Sequence, residues 1–471
     1  MLLWFVVAYW VLSVAIGLWV ALRVHSTADY AAAGHRMPLA VVTATVFATW
    51  FGSETVLGIP ATFLQEGLHG VVADPFGSSL CLILVGLFFA VPLYRKKLLT
   101  IGDFYRLQYG RSVEILVTLC IVVSYLGWVA AQIKALGLVF NVVSEGQMSK
   151  ETGMIVGATT VMVYTLFGGM LSVAITDFIQ MIIIMLGMVY IAWDLSATAG
   201  GVSVVVAHAA AHGKFDFWPQ AHAADIIGFF TAWITMMLGS IPQQDVFQRV
   251  TSSRNESTAR NASVLGGSLY FLFAFIPMFL AYSATLIDPG LVQRYLHTDS
   301  QMILPRLILD HSPELAQVMF FGALLSAIKS CASATLLAPS VTFAENVVRG
   351  FFKQMTDTQL LRVMRLVVLV FTGLVTWIAL RSELSIFKMV ESAYKITLVA
   401  AFVPLAFGVY WKGARPLGGL LSVLGGAGVW LLCEAWAPEA LIPPQLAGLM
   451  ASTLGMVGGS LWVRQRAVVG A

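Results

Sequence analysis

Charge is the scarcest property of this 471-residue chain, with Asp, Glu, Lys and Arg making up only 11% of it. Soluble domains carry roughly 25%. No long polar segment is left from which a kinase, a nuclease or another water-facing enzyme domain could be built. Cysteine is also rare, and Cys81, Cys120, Cys331 and Cys433 all fall in apolar runs, so no disulfide framework is implied. Walker, nucleotide-fingerprint and Ser-His-Asp patterns are missing, which excludes an ATP-driven pump on this chain and leaves a membrane enzyme only as the weakest alternative. The His208 and His212 pair in "HAAAHG" lacks the glutamate of a zinc-protease motif.

What is present is hydrocarbon. Hydrophobic residues make up 59% of the chain, and the mean hydropathy is +0.85. Apolar windows of about 20 residues, the length that crosses roughly 30 Å of lipid, recur from end to end. They predict a polytopic all-α membrane protein with thirteen spans. These are centred on residues 2–22, 39–62, 76–94, 113–142, 153–168, 176–196, 224–242, 264–287, 315–344, 361–380, 384–411, 416–433 and 444–463. Eighteen Lys and Arg residues, Arg249 among them, fall in one set of alternate connections; five fall in the other, and four lie inside spans. The positive-inside rule then places the N-terminus outside and the C-terminus in the cytoplasm of a cell's inner membrane. No basic n-region precedes the first apolar run, so a retained first span is expected rather than a signal peptide. The sequons at Asn255 and Asn261 fall on the cytoplasmic side, where no glycosylation is expected.

Two spans carry helix breakers at matching places. The second contains Gly52, Ser53, Gly58 and Pro60; the seventh contains Gly239, Ser240 and Pro242. Interrupted backbone at membrane depth is tolerated only where it is buried in protein or lines a wet cavity. The two spans lie five apart, so the units they begin must have opposite orientations. That pattern points to a transporter with inverted repeats and a midplane site.

The run "FGGMLSVAITDFIQM", Phe167 to Met181, resembles the sodium/solute symporter family. "SSLCLILVGLFFAVPLYRKKLLTIGDFYRLQYGR" and "GSIPQQDVFQRVTSS" are similar to its choline-transporter branch, and "SAIKSCASATLLAPSVTFAENVV" to the family's ninth span. The resemblance implies a LeuT-type fold of two inverted five-helix repeats, residues 38–196 and 224–411. Residues 1–37 then form an extra N-terminal span, 197–223 an external loop, and 412–471 two peripheral helices. It implies cation-coupled symport of a small organic solute, with sodium as the ion, no other cofactor, no nucleic-acid partner and a monomer adequate for function. Alternatives are sodium-independent or proton-linked uptake in which Lys329 replaces ion charge, a reversible facilitator, and a membrane sensor of a small solute.

By residue-wise matching, the resemblance puts the ion against the carbonyls of Ala48, Phe51 and Ala327 and the side chains of Ser330 and Cys331. Cys331 departs from the family's hydroxyl at this position. A thiol is a poor ligand for a hard cation, so one oxygen is missing. The resemblance also puts Asp177 on the ion's exit route. Lys329 lies about 150° around the helix from Ala327, Ser330 and Cys331. Burying its charge alone would cost at least about 3 kcal/mol, and its candidate partners are Glu54, Asp177 and Glu391. The solute site is expected among Glu54, Thr55, Trp128, Gln132, Lys134, Gln243, Gln244 and Glu391. Trp128 matches one cage tryptophan of the choline branch, whereas Gln243 stands where another belongs. Lys134 would repel a quaternary ammonium, so a carboxylate-bearing or zwitterionic solute is expected in preference to choline. Glu391 and Lys395 are spaced to pair along one helix face.

Overall fold

A computed structural model describes residues 2–22, 24, 26–352 and 354–469; Arg23 and Lys353 of the basic tally lie outside them. Almost all of the described chain is helical. The main helices are α1 (Leu2–Ala21), α2 (Leu39–Trp50), α3 (Glu54–Gly70), α4 (Val72–Tyr94), α5 (Ile101–Tyr109), α6 (Arg111–Val143), α7 (Lys150–Thr198) and α8 (Val202–Ala211). They continue with α9 (Ala223–Gly239), α10 (Gln244–Ser252), α11 (Glu256–Ile287), α12 (Glu314–Phe351), α13 (Asp357–Arg381), α14 (Ile386–Tyr410), α15 (Pro416–Trp436) and α16 (Pro444–Val469). Among the described residues, ten helices are long and apolar enough to cross a bilayer, and two bent pairs raise the number to twelve.

The bent pairs are the two spans in which the sequence carries breakers. α2 and α3 meet at 53°, and α9 and α10 at 44°. The fifth and sixth expected spans form one helical run, the 49-residue α7. Gly169 interrupts it with φ 55° and ψ −162°. A Cβ there would lie 2.7 Å from the Tyr30 carbonyl oxygen and 2.8 Å from its Cα. Glycine is therefore needed both for the left-handed backbone and for the close approach of helix Thr27–Ala32.

α12 is the central helix: 72% of its most apolar window is buried, against 28% for α1, α15 and α16. It packs on α7 and α6, while α2 packs on α11 and α7. α1 lies on α7 and α12, and α15 and α16 pair with each other at the periphery against α14. Large apolar side chains such as Trp4, Trp193 and Trp436 point outward, as expected where lipid is the solvent. The expected external loop at 197–223 contains the short helix α8.

Replacing Gly169 with valine should cost roughly 1–3 kcal/mol from backbone conformation alone, with the overlap on Tyr30 added. The thermal unfolding midpoint of the detergent-solubilised protein should fall clearly; an unchanged midpoint would contradict the packing described here.

Candidate functional site

The break between α2 and α3 spans Phe51, Gly52 and Ser53. In an unbroken helix the Gly52 and Ser53 N–H groups would bond the carbonyls of Ala48 and Thr49. Here Gly52 N–H donates to the Trp50 carbonyl at 3.0 Å, and Ser53 N–H donates to Gln132 Oε1 at 3.0 Å. The Ala48 and Thr49 carbonyls are thus released from their usual intrahelical donors. Glycine is required at the break, because a Cβ on Gly52 would lie 2.7 Å from Glu54 Oε2 and 2.8 Å from Cys331 Sγ. α12 therefore touches the broken backbone directly.

Glu54 is buried. Trp128 Nε1 donates to its Oε1 at 3.0 Å, and Gln132 Nε2 donates to its Oε2 at 2.7 Å. Cys331 Sγ lies 3.9 Å from Oε1. Gln132 thus holds both the open backbone and the carboxylate. Thr55 bonds the Trp50 carbonyl at 3.2 Å and meets Tyr270 Oη at 2.9 Å. Tyr270 in turn donates to the buried Asp74 at 2.6 Å.

A second carboxylate ties three helices together. Asp177 on α7 accepts from Thr45 of α2 at 2.5 Å and from Ser330 of α12 at 2.5 Å. Ser330 and Cys331 occupy the face of α12 that meets this polar seam. Ala327, one turn back, is fully buried. The structure therefore joins Asp177 to Thr45 and Ser330, and Glu54 to Cys331, the residue after Ser330 on α12. Phe51 belongs to the break itself, with ψ of 73°.

The break between α9 and α10 also lies against α6. Gln243 takes an extended conformation there, and its amide donates to Ser124 of α6 at 3.0 Å. Gln244 Oε1 accepts from the Ile101 N–H at 2.8 Å, so it anchors α5 rather than lining the centre. Asp245, two residues beyond Gln243, accepts from Trp50 Nε1 at 3.2 Å and from Tyr125 Oη at 2.5 Å. Arg249 is buried, not in a cytoplasmic loop; it donates to the Asp245 carbonyl at 2.8 Å and to Thr49 Oγ1 at 2.6 Å.

Four aromatic rings join the two carboxylates. Trp50 and Trp128 meet edge to face with centroids 5.5 Å apart. Tyr394 stacks on Trp50 at 6.3 Å and tilts against Trp128 at 5.6 Å, and Tyr125 stacks on Trp128 at 6.0 Å. All four are buried, so the cluster is closed to both faces. Of these four rings the sequence reading singled out Trp128 alone, and it missed Asp245. The available signal was "QQDVFQR" directly after Pro242, a carboxylate and a guanidinium at i,i+4 on the continuation of a broken span.

Four expectations need correction. Lys329 pairs with none of Glu54, Asp177 or Glu391: it donates to Ser13 of α1 and lies 4.5 Å from the centre of the Tyr164 ring. Its angular offset on α12 turns it toward α1 and away from the break, which removes the geometry for replacing an ion there. Lys134 does not line the centre either. It donates to the carbonyls of Ser382 and Leu384 at 3.1 and 2.6 Å, capping the chain that follows α13. Glu391 opens into a separate cavity of about 230 Å³ with Gln65, His69, Phe229 and Lys388. The Glu391–Lys395 pairing is also not formed; Lys395 lies 3.8 Å from Glu434 of α15.

With this geometry in view, comparison with known proteins is informative. Residues 30–426 match the Sodium:solute symporter family. The human high affinity choline transporter 1 is 28% identical over 445 residues, covering 89% of this chain and 74% of the relative. The sodium/proline symporter of Haemophilus influenzae is 24% identical over 426 residues, covering 86% and 82%. A solved structure of a Na+-coupled sialic acid symporter, substrate-bound and outward-open, superposes with a TM-score of 0.82 at 19% identity, covering 98% of each chain.

Thr45→Val keeps the side-chain shape but removes one of the two hydroxyls bonded to Asp177. A bond to a charged group is worth about 1.5–3 kcal/mol. The variant should lose stability in that range by denaturant titration; a loss within error of zero would show that Asp177 is not held from α2.

Proposed function

The chain belongs to the sodium:solute symporter family, and from that membership we propose how its two broken spans divide the work between ion and solute. As a family member with a LeuT-type fold it is a secondary active transporter, not an enzyme. It carries a small organic solute across a membrane by alternating access, with sodium as the coupling ion. One charge moving down 100 mV supplies about 2.3 kcal/mol, enough for about 50-fold accumulation.

The ion site in this proposal is the seam where α12 meets the break in α2–α3. Ala48, Phe51 and Ala327 contribute carbonyls and Ser330 its hydroxyl, with Asp177 behind Ser330 on the release path. The observation that carries this reading is the diversion of the Gly52 N–H to Trp50, which leaves the Ala48 carbonyl without its helical donor. Bare peptide oxygens bind a cation without burying a net negative charge.

The solute site is the aromatic cluster on the far side of Glu54: Trp128 with Trp50, Tyr125 and Tyr394, bordered by Thr55, Gln132 and Gln243. Aromatic faces attract ammonium groups, and Asp245 adds a carboxylate. The expectation of a carboxylate-bearing or zwitterionic solute rests on Lys134 and Gln243, and the Lys134 ammonium is committed to the carbonyls of Ser382 and Leu384. The favoured cargo is therefore an ammonium-bearing solute, quaternary or zwitterionic. Relatives named as choline transporters and as a sodium/proline symporter are compatible with that class.

The break at Gly169 supports counting α7 as two spans. At 1.5 Å per residue it is more than twice as long as a bilayer core is thick. Thirteen spans then follow, with the N-terminus outside and the C-terminus inside the cytoplasmic membrane. The inverted repeats cover residues 38–196 and 224–411.

Uptake into proteoliposomes across a panel of amines, amino acids and carboxylates tests the proposal. An inward sodium gradient should drive accumulation of at least one ammonium-bearing compound. Trp128→Ala should raise its KM about tenfold, the loss of about 1.4 kcal/mol of ring–cation attraction. Accumulation of carboxylates alone, or uptake indifferent to sodium, would contradict it.

A further inference from the structure

We infer that Glu54 is a ligand of the coupling ion, its carboxylate supplying the oxygen that Cys331 cannot. This rests on the ion-site reading above and goes beyond it, since the family pattern supplies no carboxylate there. Four observations converge on it.

The first is position. An atom one bond from Gly52 Cα would lie 2.7 Å from Glu54 Oε2 and 2.8 Å from Cys331 Sγ. The carboxylate and the thiol therefore flank the same point of broken backbone. The second is ligand chemistry. Sodium is a hard cation that takes oxygen, and the side chain that faces the break from α12 ends in sulfur. A carboxylate oxygen 3.9 Å from that sulfur stands where the lost hydroxyl would have acted.

The third is charge. The hydrogen-bond donors to Glu54, namely Trp128, Gln132 and the Cys331 thiol, are all neutral. A buried carboxylate held only by neutral donors is costly unless a cation joins it. An ionised carboxylate has about four acceptor positions, so these three donors, one of them a weak thiol, leave room for a metal. The basic side chains nearby are occupied elsewhere, Lys329 by Ser13 and Arg249 by Thr49 and the Asp245 carbonyl. The fourth is support. Gln132 donates to one carboxylate oxygen and accepts from Ser53 N–H, so a single side chain orients the ligand and keeps the backbone open. Outer groups that orient a ligating carboxylate in this way are a regular part of metal sites.

Coupling follows from this arrangement. Trp128 holds Glu54 through its N–H and belongs to the ring cluster proposed for the solute. Ion and cargo would therefore meet through one tryptophan.

The test is ²²Na+ binding to the purified protein, which needs no knowledge of the solute. Wild type, Ser330→Ala, Glu54→Gln, Cys331→Ser and the double variant Glu54→Gln/Cys331→Ser are compared. Glu54→Gln should weaken sodium binding at least tenfold, and adding Cys331→Ser should return the affinity to within about threefold of wild type. If Glu54→Gln alone does not fold, wild type, Cys331→Ser and the double variant still provide the comparison. Binding by Glu54→Gln equal to wild type while Ser330→Ala binds weakly would overturn the role of Glu54 and leave the ion site standing. Failure of Cys331→Ser to restore binding to the double variant would also overturn the substitution. Wild-type protein that binds no sodium would overturn both readings.

Discussion

Every polar backbone group inside a bilayer must find a partner within the protein, and the rest of this molecule is arranged around two places where a helix fails to provide one. At Gly52 and Ser53 the peptide N–H groups turn away from their helix. One goes to a neighbouring carbonyl and the other to the side chain of Gln132. Gln132 can do this only because α6 runs past the break, and the break can be tight only because α12 presses on Gly52. A carbonyl without its helical donor, which would be a defect elsewhere, is a ligand in the proposed ion site. At the second break, at Pro242 and Gln243, the Gln243 N–H turns back to the Ser240 carbonyl and its side-chain amide donates to Ser124 of the same α6.

The buried charges follow from these breaks. Glu54 accepts hydrogen bonds from three neutral side chains, and Asp177 and Asp245 from two each, all on other helices. A site built this way stays polar without being locked by strong ion pairs, which suits elements that must part and close again. Lys329 stands outside this set. Its bond to Ser13 and its place over Tyr164 fasten the extra first helix to the core. The lysine that looks functional in the sequence has a packing role in the structure, joining α1, α7 and α12.

Much of this was legible beforehand, because the signals are local. Both broken spans lie where glycine, serine and proline cluster within an apolar run, whereas the isolated Pro277 and Pro339 sit inside continuous helices. The departure at Cys331 and the angular offset of Lys329 could be read from helical periodicity. What could not be read was direction over distance. Lys134 sits only six residues from Trp128 on α6, yet its ammonium reaches carbonyls beyond α13. Arg249 looked like a loop cation because it follows a proline and precedes a polar run. The contacts of Trp50 and Tyr394 join positions more than 300 residues apart, and no local pattern encodes them. Gly169 breaks α7 between the fifth and sixth expected spans, with φ 55° and ψ −162°.

The central claim is that the break in α2–α3 presents bare oxygens to a cation. The most direct measurement is a high-resolution structure determined in sodium, compared with one in which N-methyl-D-glucamine replaces it. The account predicts a density peak, present only in sodium, within coordination distance of the Ala48 carbonyl and Ser330 Oγ. A continuous helix through Gly52, with the Ala48 carbonyl bonded to its own chain and no peak in either map, would contradict it.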